Sequence, residues 1–517
     1  MTRAAIAAYK CSVRTIRVVT LLGLLAACPC LPALAQAPAA TAAASSLRAQ
    51  AEAAMQASQF GEAEALYAKI VAAAPTDAVA HMQLGISRAM GGRIDSAVAP
   101  LREALRLRPD LLPARLFLGI SYLELGRPGD AVAPLRQVLD ADKTNMNARQ
   151  ALVEALLALD RHAEASTELA ALSAAQPQSA QVWAALGRSY EGIAREAFEK
   201  LQGTAVDSPY VWLLVADVLT VQEKYPQAFS LIRDAQAALP DLPGVHRLLA
   251  RVYAASGHAD WAAVEEQRAT AEKPPCATLP VACAYLSGRL EDALARTASA
   301  SQPAALYWRA RAANDLAARA FETLEKLPPS VERYVIRAGI ARDQEQPLEA
   351  VAQLREALKL APDDPGLERE LAGALHAARD FEAALPLLEK LHRMAPDAPD
   401  VLLALGDTLL QSQQVPRAVA LLEKAVAATP GLLPAHAALG RALLQSGDTA
   451  RAIPHLEKAL PTDTDGSLYY QLAQAMQRTG NGERARTLLA EYQKRAEAAA
   501  PAPTTPAETS VITAPVP

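Results

Sequence analysis

Cys276 and Cys283 are the residues of this chain best spaced for covalent chemistry, because they flank Pro280 with six residues between them. In an oxidising compartment, a pair across a proline-rich bend can close a disulfide. On or beside a continuous helix the same spacing leaves two buried thiols too far apart to bridge. Two cysteines without an adjacent histidine do not make a zinc site. The remaining reactive groups form no known constellation. No histidine is followed by glutamate, no lysine is preceded by glycine, and none lies three after a serine. That removes the His-Glu-x-x-His metalloprotease, the phosphate-cradling Gly-Lys-Ser/Thr loop and the Ser-x-x-Lys acyl-enzyme. We assign no catalytic residue, cofactor or metal, and the expectation is a protein that is not an enzyme.

The elements that position these residues follow from a repeat. Alanine returns every 34 residues at Ala63, Ala97, Ala131 and Ala165, and again at Ala350, Ala384, Ala418 and Ala452. Twelve residues before these anchors stands a small residue, as at Gly85, Gly119, Ala338, Ala372, Gly406 and Gly440 (Val153 is the exception, and Gly187 follows it one period on), usually preceded by leucine. Twelve residues after them, proline recurs at Pro75, Pro109, Pro177, Pro362, Pro396 and Pro430, and Pro240 holds the same place after Ala228. Apolar residues at the anchor, four later and seven later (Ala97, Leu101, Ala104; Ala418, Leu422, Ala425) form one stripe of a helix of period 3.6. Small residues let two helices approach closely, and proline stops the second helix.

On these positions the chain resembles the tetratricopeptide repeat family, whose unit is two antiparallel helices with small residues at the crossing and proline at the end. The resemblance implies an all-α fold, a right-handed superhelical α-solenoid of about fourteen hairpins, and a concave groove that binds extended peptides or partner helices. Carried over by register, the groove comprises Phe117, Ile120 and Leu123, then Arg188, Leu213, Asp217, Arg247 and Arg251, and further along Arg369, His376, Asp407, Arg441 and Tyr470. Arg188, Arg247 and Arg251 are the candidate charged anchor. The Lys/Asn clamp of chaperone-binding members is not visible at the matching positions. Trp183, Trp212, Tyr122, Tyr190 and Tyr253 fall where this family packs aromatics.

Clear units centre on Ala63, Ala97, Ala131, Ala165, Ala228, Ala262, Ala350, Ala384, Ala418, Ala452 and Ala485, and three compressed ones lie near Ala197, Ala293 and Ala320. Two of the compressed units resemble each other, Ala194–Leu201 (AREAFEKL) and Ala317–Leu324 (AARAFETL). Such units change the curvature of an array or mark a binding face. Repeat blocks are expected at 46–275 and, continuous with it, 276–495. An unstructured linker is expected at 36–45 and a Pro/Thr/Ala tail without structure at 496–517.

Composition agrees. With 51% of residues apolar but only 4% aromatic, the core must be alanine and leucine between close helices. The formal charge is −5, and −9 without the basic leader, so nucleic acid is a poor partner. Lys and Arg interleaved with Glu, as at Glu389-Lys390, read as a solvated face.

The first 35 residues have the layout of a secretory signal. Arg3, Lys10, Arg14 and Arg17 precede an apolar stretch, and Ala33-Leu34-Ala35 offers a cleavage site. Leu25-Ala26-Ala27-Cys28 is a rival lipobox, in which residues 1–27 are removed and Cys28 is lipidated. The apolar run, broken by Pro29 and Pro32, is too short to span a membrane. Either route places the protein in a bacterial periplasm or on the outer membrane. The function expected is a noncatalytic scaffold binding other proteins in the cell envelope, similar to tetratricopeptide adaptors of outer-membrane assembly and polysaccharide export. The alternative is a glycan- or peptidoglycan-binding solenoid.

Overall fold

The computed structural model describes residues 39–274, 276–499 and 512–515. The expected signal sequence and the expected lipidation site Cys28 lie outside the described residues. Within them every regular element is helical. In chain order these are α1 (Ala39–Gln56), α2 (Phe60–Ala73), α3 (Ala78–Met90), α4 (Ile94–Leu107), α5 (Leu112–Glu124), α6 (Pro128–Ala141), α7 (Met146–Ala158), α8 (His162–Ala175), α9 (Ala180–Thr204), α10 (Pro209–Val221), α11 (Tyr225–Ala238), α12 (Val245–Ala255) and α13 (Ala259–Ala271). They continue as α14 (Pro280–Leu286), α15 (Leu290–Arg296), α16 (Pro303–Lys326), α17 (Val331–Asp343), α18 (Pro347–Leu360), α19 (Pro365–Ala377), α20 (Phe381–Met394), α21 (Pro399–Gln411), α22 (Val415–Ala428), α23 (Leu433–Ser446), α24 (Thr449–Ala459), α25 (Ser467–Arg478) and α26 (Gly482–Ala499).

The hairpin follows from its sequence at each step. The small residue of the first helix faces the leucine four beyond the anchor: a Cβ on Gly85 would fall 2.5 Å from Cγ of Leu101, and one on Gly119, Gly406 or Gly440 about as close to Leu135, Leu422 or Leu456. The anchors Ala63, Ala97, Ala131, Ala165, Ala384, Ala418 and Ala452 are fully buried. Five residues before the anchor the chain enters the left-handed region, at Gly92 and Gly257 but also at Asp160, Glu345, Arg379 and Gln413. There Arg93 N–H reaches the carbonyl of Arg88 and Gly92 N–H that of Ala89, the paired bonds that end a helix in a left-handed turn. The second helix ends two residues before the proline, at Ala73, Leu107, Ala175, Ala238, Leu360, Met394 and Ala428. The carbonyl of that proline is then reused: Pro75 accepts from His81 Nε2 and Pro177 from Trp183 Nε1, each at 2.9 Å, and Pro430 accepts from His436 Nε2 at 3.1 Å.

The structure divides into two compact units. One holds the described chain through Thr204 together with Cys276–Leu327; the other holds Ala205–Pro275 together with the chain from Pro328. Only the expected junction at 275/276 coincides with a boundary, and the chain crosses between units twice more. In the first unit α1–α8 are four stacked hairpins, α14 and α15 make a short fifth, and α9 packs along α16, the most extensive pairing of two helices among the described residues.

That pairing corrects the compressed units at Ala197 and Ala320. Neither turns back on itself; each is the interior of a long helix, and the two similar segments Ala194–Leu201 and Ala317–Leu324 lie in helices packed on each other. The cause is visible at Gly187. The position sixteen residues on, leucine in a regular hairpin, is Gly203 here, which contributes no side chain, and a Cβ on Gly187 would meet Cε1, Cζ and Cδ1 of the Phe321 ring. Ile193, Ala197 and Leu201 of α9 and Ala320 and Leu324 of α16 are buried, and Lys200 Nζ donates to the carbonyl of Ala300 at 3.1 Å. In the second unit α10–α13 form two hairpins and α17–α26 five.

The described residues of both expected unstructured ends are ordered. Helix α1 begins at Ala39, inside the expected linker, because alanine is the strongest helix former and the run from Ala39 to Ala44 continues into the amphipathic stretch beyond. Helix α26 continues to Ala499, and Ile512–Pro515 is an irregular segment with a defined contact.

Candidate functional site

The first helix of each hairpin carries a residue one position after the small residue, outside the interhelical crossing. In the second unit these residues join hairpin to hairpin. Asp217 of α10 accepts from Arg251 Nη1 of α12 at 3.1 Å, and Asp407 of α21 accepts from Arg441 Nη2 of α23 at 3.1 Å. Each pair is 34 residues apart, one repeat. In the second pair His376 of α19 adds a 2.8 Å bond to the other oxygen of Asp407, so one carboxylate ties three consecutive hairpins. Burial on its own would raise the Asp407 carboxyl. The hydrogen bond from His376 and the charges of Arg441 and His376 outweigh it and hold the group below the usual carboxylate range.

The arginines of this row keep a face to solvent, with 51% of the Arg251 and 40% of the Arg441 side chain exposed. Tyr470 is exposed on the hairpin that follows. A half-exposed guanidinium fixed by one carboxylate retains donors for an incoming carbonyl or carboxylate. In this row each half-exposed guanidinium lies beside a carboxylate of the neighbouring hairpin. Among the described residues no group of three His, Cys, Asp or Glu side chains can hold a metal ion, and no helix is long and apolar enough to cross a membrane.

The expected groove residues separate under this geometry. Phe117, Ile120 and Leu123 lie half-buried together on α5, and Arg188 lies half-buried on α9, all in the first unit. Arg247 and Arg251 are exposed on α12, and Asp217 is beside Arg251, in the second unit. Leu213 is a correction: it is fully buried, because position three before the small residue turns inward on α10, and it belongs to the core. The three arginines proposed as one anchor are divided between units. Arg369 lies 3.5 Å from Asp400.

Cys276 and Cys283 are joined in a disulfide with Cα atoms 5.2 Å apart, tying the turn before α14 to the helix itself. Two residues on, Tyr285 donates to Asp315 Oδ2 at 2.6 Å and accepts from Arg311 Nη2 at 3.0 Å in a buried cluster with Tyr307 and Trp308. Burial raises the Tyr285 phenol above its ordinary value, so it stays a donor to Asp315. Arg311 is buried at 4% exposure, and this cluster fills the core of the irregular hairpin.

The architecture is that of stacked helical hairpins with a polar row on their first helices, the class of all-α repeat scaffolds. Sequence models described as tetratricopeptide repeat match residues 48–111, 122–188, 375–443 and 443–502, together half of the chain. The chain belongs to the tetratricopeptide repeat family, and its repeats make it a protein-interaction scaffold. Among solved structures it is similar to MamA of strain MSR-1 (26% identity over 33% of this chain and 95% of that one, TM-score 0.28). It is also similar to residues 41 to the end of MamA from Desulfovibrio magneticus RS-1 (21%, 33% and 97%, TM-score 0.30). A third is TTC0263, a thermophilic tetratricopeptide protein of Thermus thermophilus (18%, 32% and 92%, TM-score 0.28). No curated protein matches this chain.

Proposed function

We propose that the protein is a noncatalytic scaffold of the bacterial cell envelope that holds extended segments or helices of other envelope proteins along the polar row of its second unit. The observation that carries this reading is the repetition of one ion pair at one register, Asp217–Arg251 and Asp407–Arg441, with both guanidinia half-exposed. Packing of the hairpins does not need these charges, since the crossings are made by small residues and leucine. An ordered row of donors suits a backbone running across several first helices. Export is supported by the signal-like first 35 residues, and an oxidising compartment by the bonded pair Cys276–Cys283. The mature chain then resides in the periplasm, or on the outer membrane if Cys28 is lipidated.

The test is crosslinking in the source cells, affinity purification and mass spectrometry, comparing the wild type with Arg251→Glu/Arg441→Glu. Capture of a defined set of envelope proteins that the variant loses supports the proposal. Equal capture by both proteins places binding elsewhere, and retention of the soluble wild type on peptidoglycan or envelope glycan would replace protein partners with a carbohydrate.

A further inference from the structure

Tyr253 is the residue whose bonding departs from its register. Tyr122, nine residues before its anchor, has its hydroxyl occupied by the array: Arg102 Nε donates to it at 2.8 Å, and the guanidinia of Arg102 and Arg127 lie 5.6 and 5.0 Å from the ring centre. Tyr253 stands nine before Ala262, so the matching positions are Arg233 and His258. Neither takes that role. Arg233 Nη1 donates to Gln236 at 2.9 Å, while His258 stacks on Trp261 with ring centres 4.3 Å apart and bonds Ser256. The Tyr253 hydroxyl donates instead to the backbone carbonyl of Thr513, 2.7 Å away and 260 residues on. Its ring is held by Phe229 at 5.7 Å and Trp261 at 5.6 Å, and burial, with the charge of Glu265, raises the phenol so that it keeps its proton.

The segment that supplies this carbonyl is covered at its two ends and open between them. Ile512 and Pro515 are half-buried, while Thr513 and Ala514 between them are exposed. A spacing of three puts two side chains on one side of a polyproline II strand, which turns once per three residues and leaves its carbonyls unbonded for a partner to use. A phenol donor set among aromatic rings is the usual complement of such a strand.

We propose that the Phe229–Tyr253–Trp261 face of α11–α13 is a binding site for a short extended Ile-Thr-Ala-Pro segment and that the chain's own residues Ile512–Pro515 occupy it in cis. The site is distinct from the polar row, so its failure leaves the scaffold reading untouched. A tethered segment at an effective concentration of about 1 mM excludes a weak external peptide of the same kind.

The experiment compares the intact chain with one ending at residue 508, using a fluorescent peptide of residues 509–517 (TSVITAPVP) and anisotropy. The shortened chain should bind saturably and the intact chain at least about tenfold more weakly, as the tethered segment competes. Tyr253→Phe in the shortened chain, checked for unchanged helicity, should weaken binding roughly three- to tenfold, the share of one hydrogen bond. The peptide with Ile512→Asp should not bind, and this reads the same site without altering the folded protein. Equal affinity of intact and shortened chains, or indifference to both substitutions, overturns the proposal. Self-association of the intact chain that is lost on shortening overturns occupancy in cis and makes the occupant a second copy.

Discussion

The same slot is filled in two ways in this molecule. At Gly406 the space beside the glycine is taken by Leu422, sixteen residues later on the returning helix of the same hairpin. At Gly187 it is taken by Phe321, from a helix that arrives 134 residues later. Sequence register says that something large must lie against a small crossing residue, but the identity of the filler depends on whether the chain turns back in time. Around Ala197 it does not, and the demand is met from afar.

The largest effect separating these two arrangements is expected on emptying them. Leu422→Ala, at a fully buried site, should cost about 3–5 kcal/mol, whereas Phe321→Ala, at a half-buried ring, should cost about 2–3 kcal/mol, both read by chemical denaturation. Filling the slot sharpens the contrast. Gly406→Ala should cost about 1 kcal/mol, since alanine already stands at this register at Ala338 and Ala372, while Gly187→Ala, pressed on an aromatic ring, should cost about 2–3 kcal/mol. Phe321→Leu should relieve the second change but not the first, and equal costs in the two backgrounds would show that the ring does not define the slot. Replacing Cys276 and Cys283 by serine should remove about 2 kcal/mol from the unit containing α9 and α16 under oxidising conditions, and leave the Gly406–Leu422 hairpin unchanged.

Acid provides a smaller test, with one histidine in each unit. His162 packs on Gly192 with both ring nitrogens buried and unbonded. Burial, then the charge of Arg195, lowers its pKa against the opposing pull of Asp160 and Glu196. His455 meets His436 with Nδ1 atoms 2.8 Å apart. Since His436 Nε2–H is used on Pro430, its Nδ1 must accept the proton of the other ring. Burial, His436, Arg451 and Lys458 lower the His455 pKa against Glu423. A depressed histidine contributes stability above its unfolded value near 6.5 that is lost as pH falls through the folded value. Each unit should therefore melt a few degrees lower (~2–5 °C) at pH 5 than at pH 7. His162→Gln should flatten the profile of the first unit and His455→Gln that of the second. The smallest effect lies in the turns: Gln413→Gly should raise stability by about 0.5 kcal/mol by removing left-handed strain, and Gly92→Ala should lower it by about 1 kcal/mol.

Most of the array was legible because its rules are local. Ala97 and Ala418 are buried as the stripe requires, and seven of the second helices stop two residues short of their proline. The charged row was half legible: Asp217, Arg251, Asp407 and Arg441 fall on the groove register, but that they pair at one period requires knowing that successive first helices lie side by side. Leu213 was misplaced because register alone does not tell a rim position from one turned inward. The pairing of α9 and α16 left one trace, the likeness of Ala194–Leu201 to Ala317–Leu324, which reads as duplication and gives no sign of contact. The Tyr253–Thr513 bond left none, because a Pro/Thr/Ala segment carries no periodicity.

The distance between Gly187 and Phe321 also sets a clock. Every regular hairpin can close as soon as its own second helix has been made, whereas the flank of α9 waits for 134 further residues. At roughly 5–20 residues per second, the slot stands open for on the order of ten seconds. During that interval Ile193, Ala197 and Leu201 present a greasy strip to the surroundings. Chaperone dependence and proteolytic sensitivity of the newborn chain should therefore concentrate at this seam, while the regular repeats on either side assemble unaided.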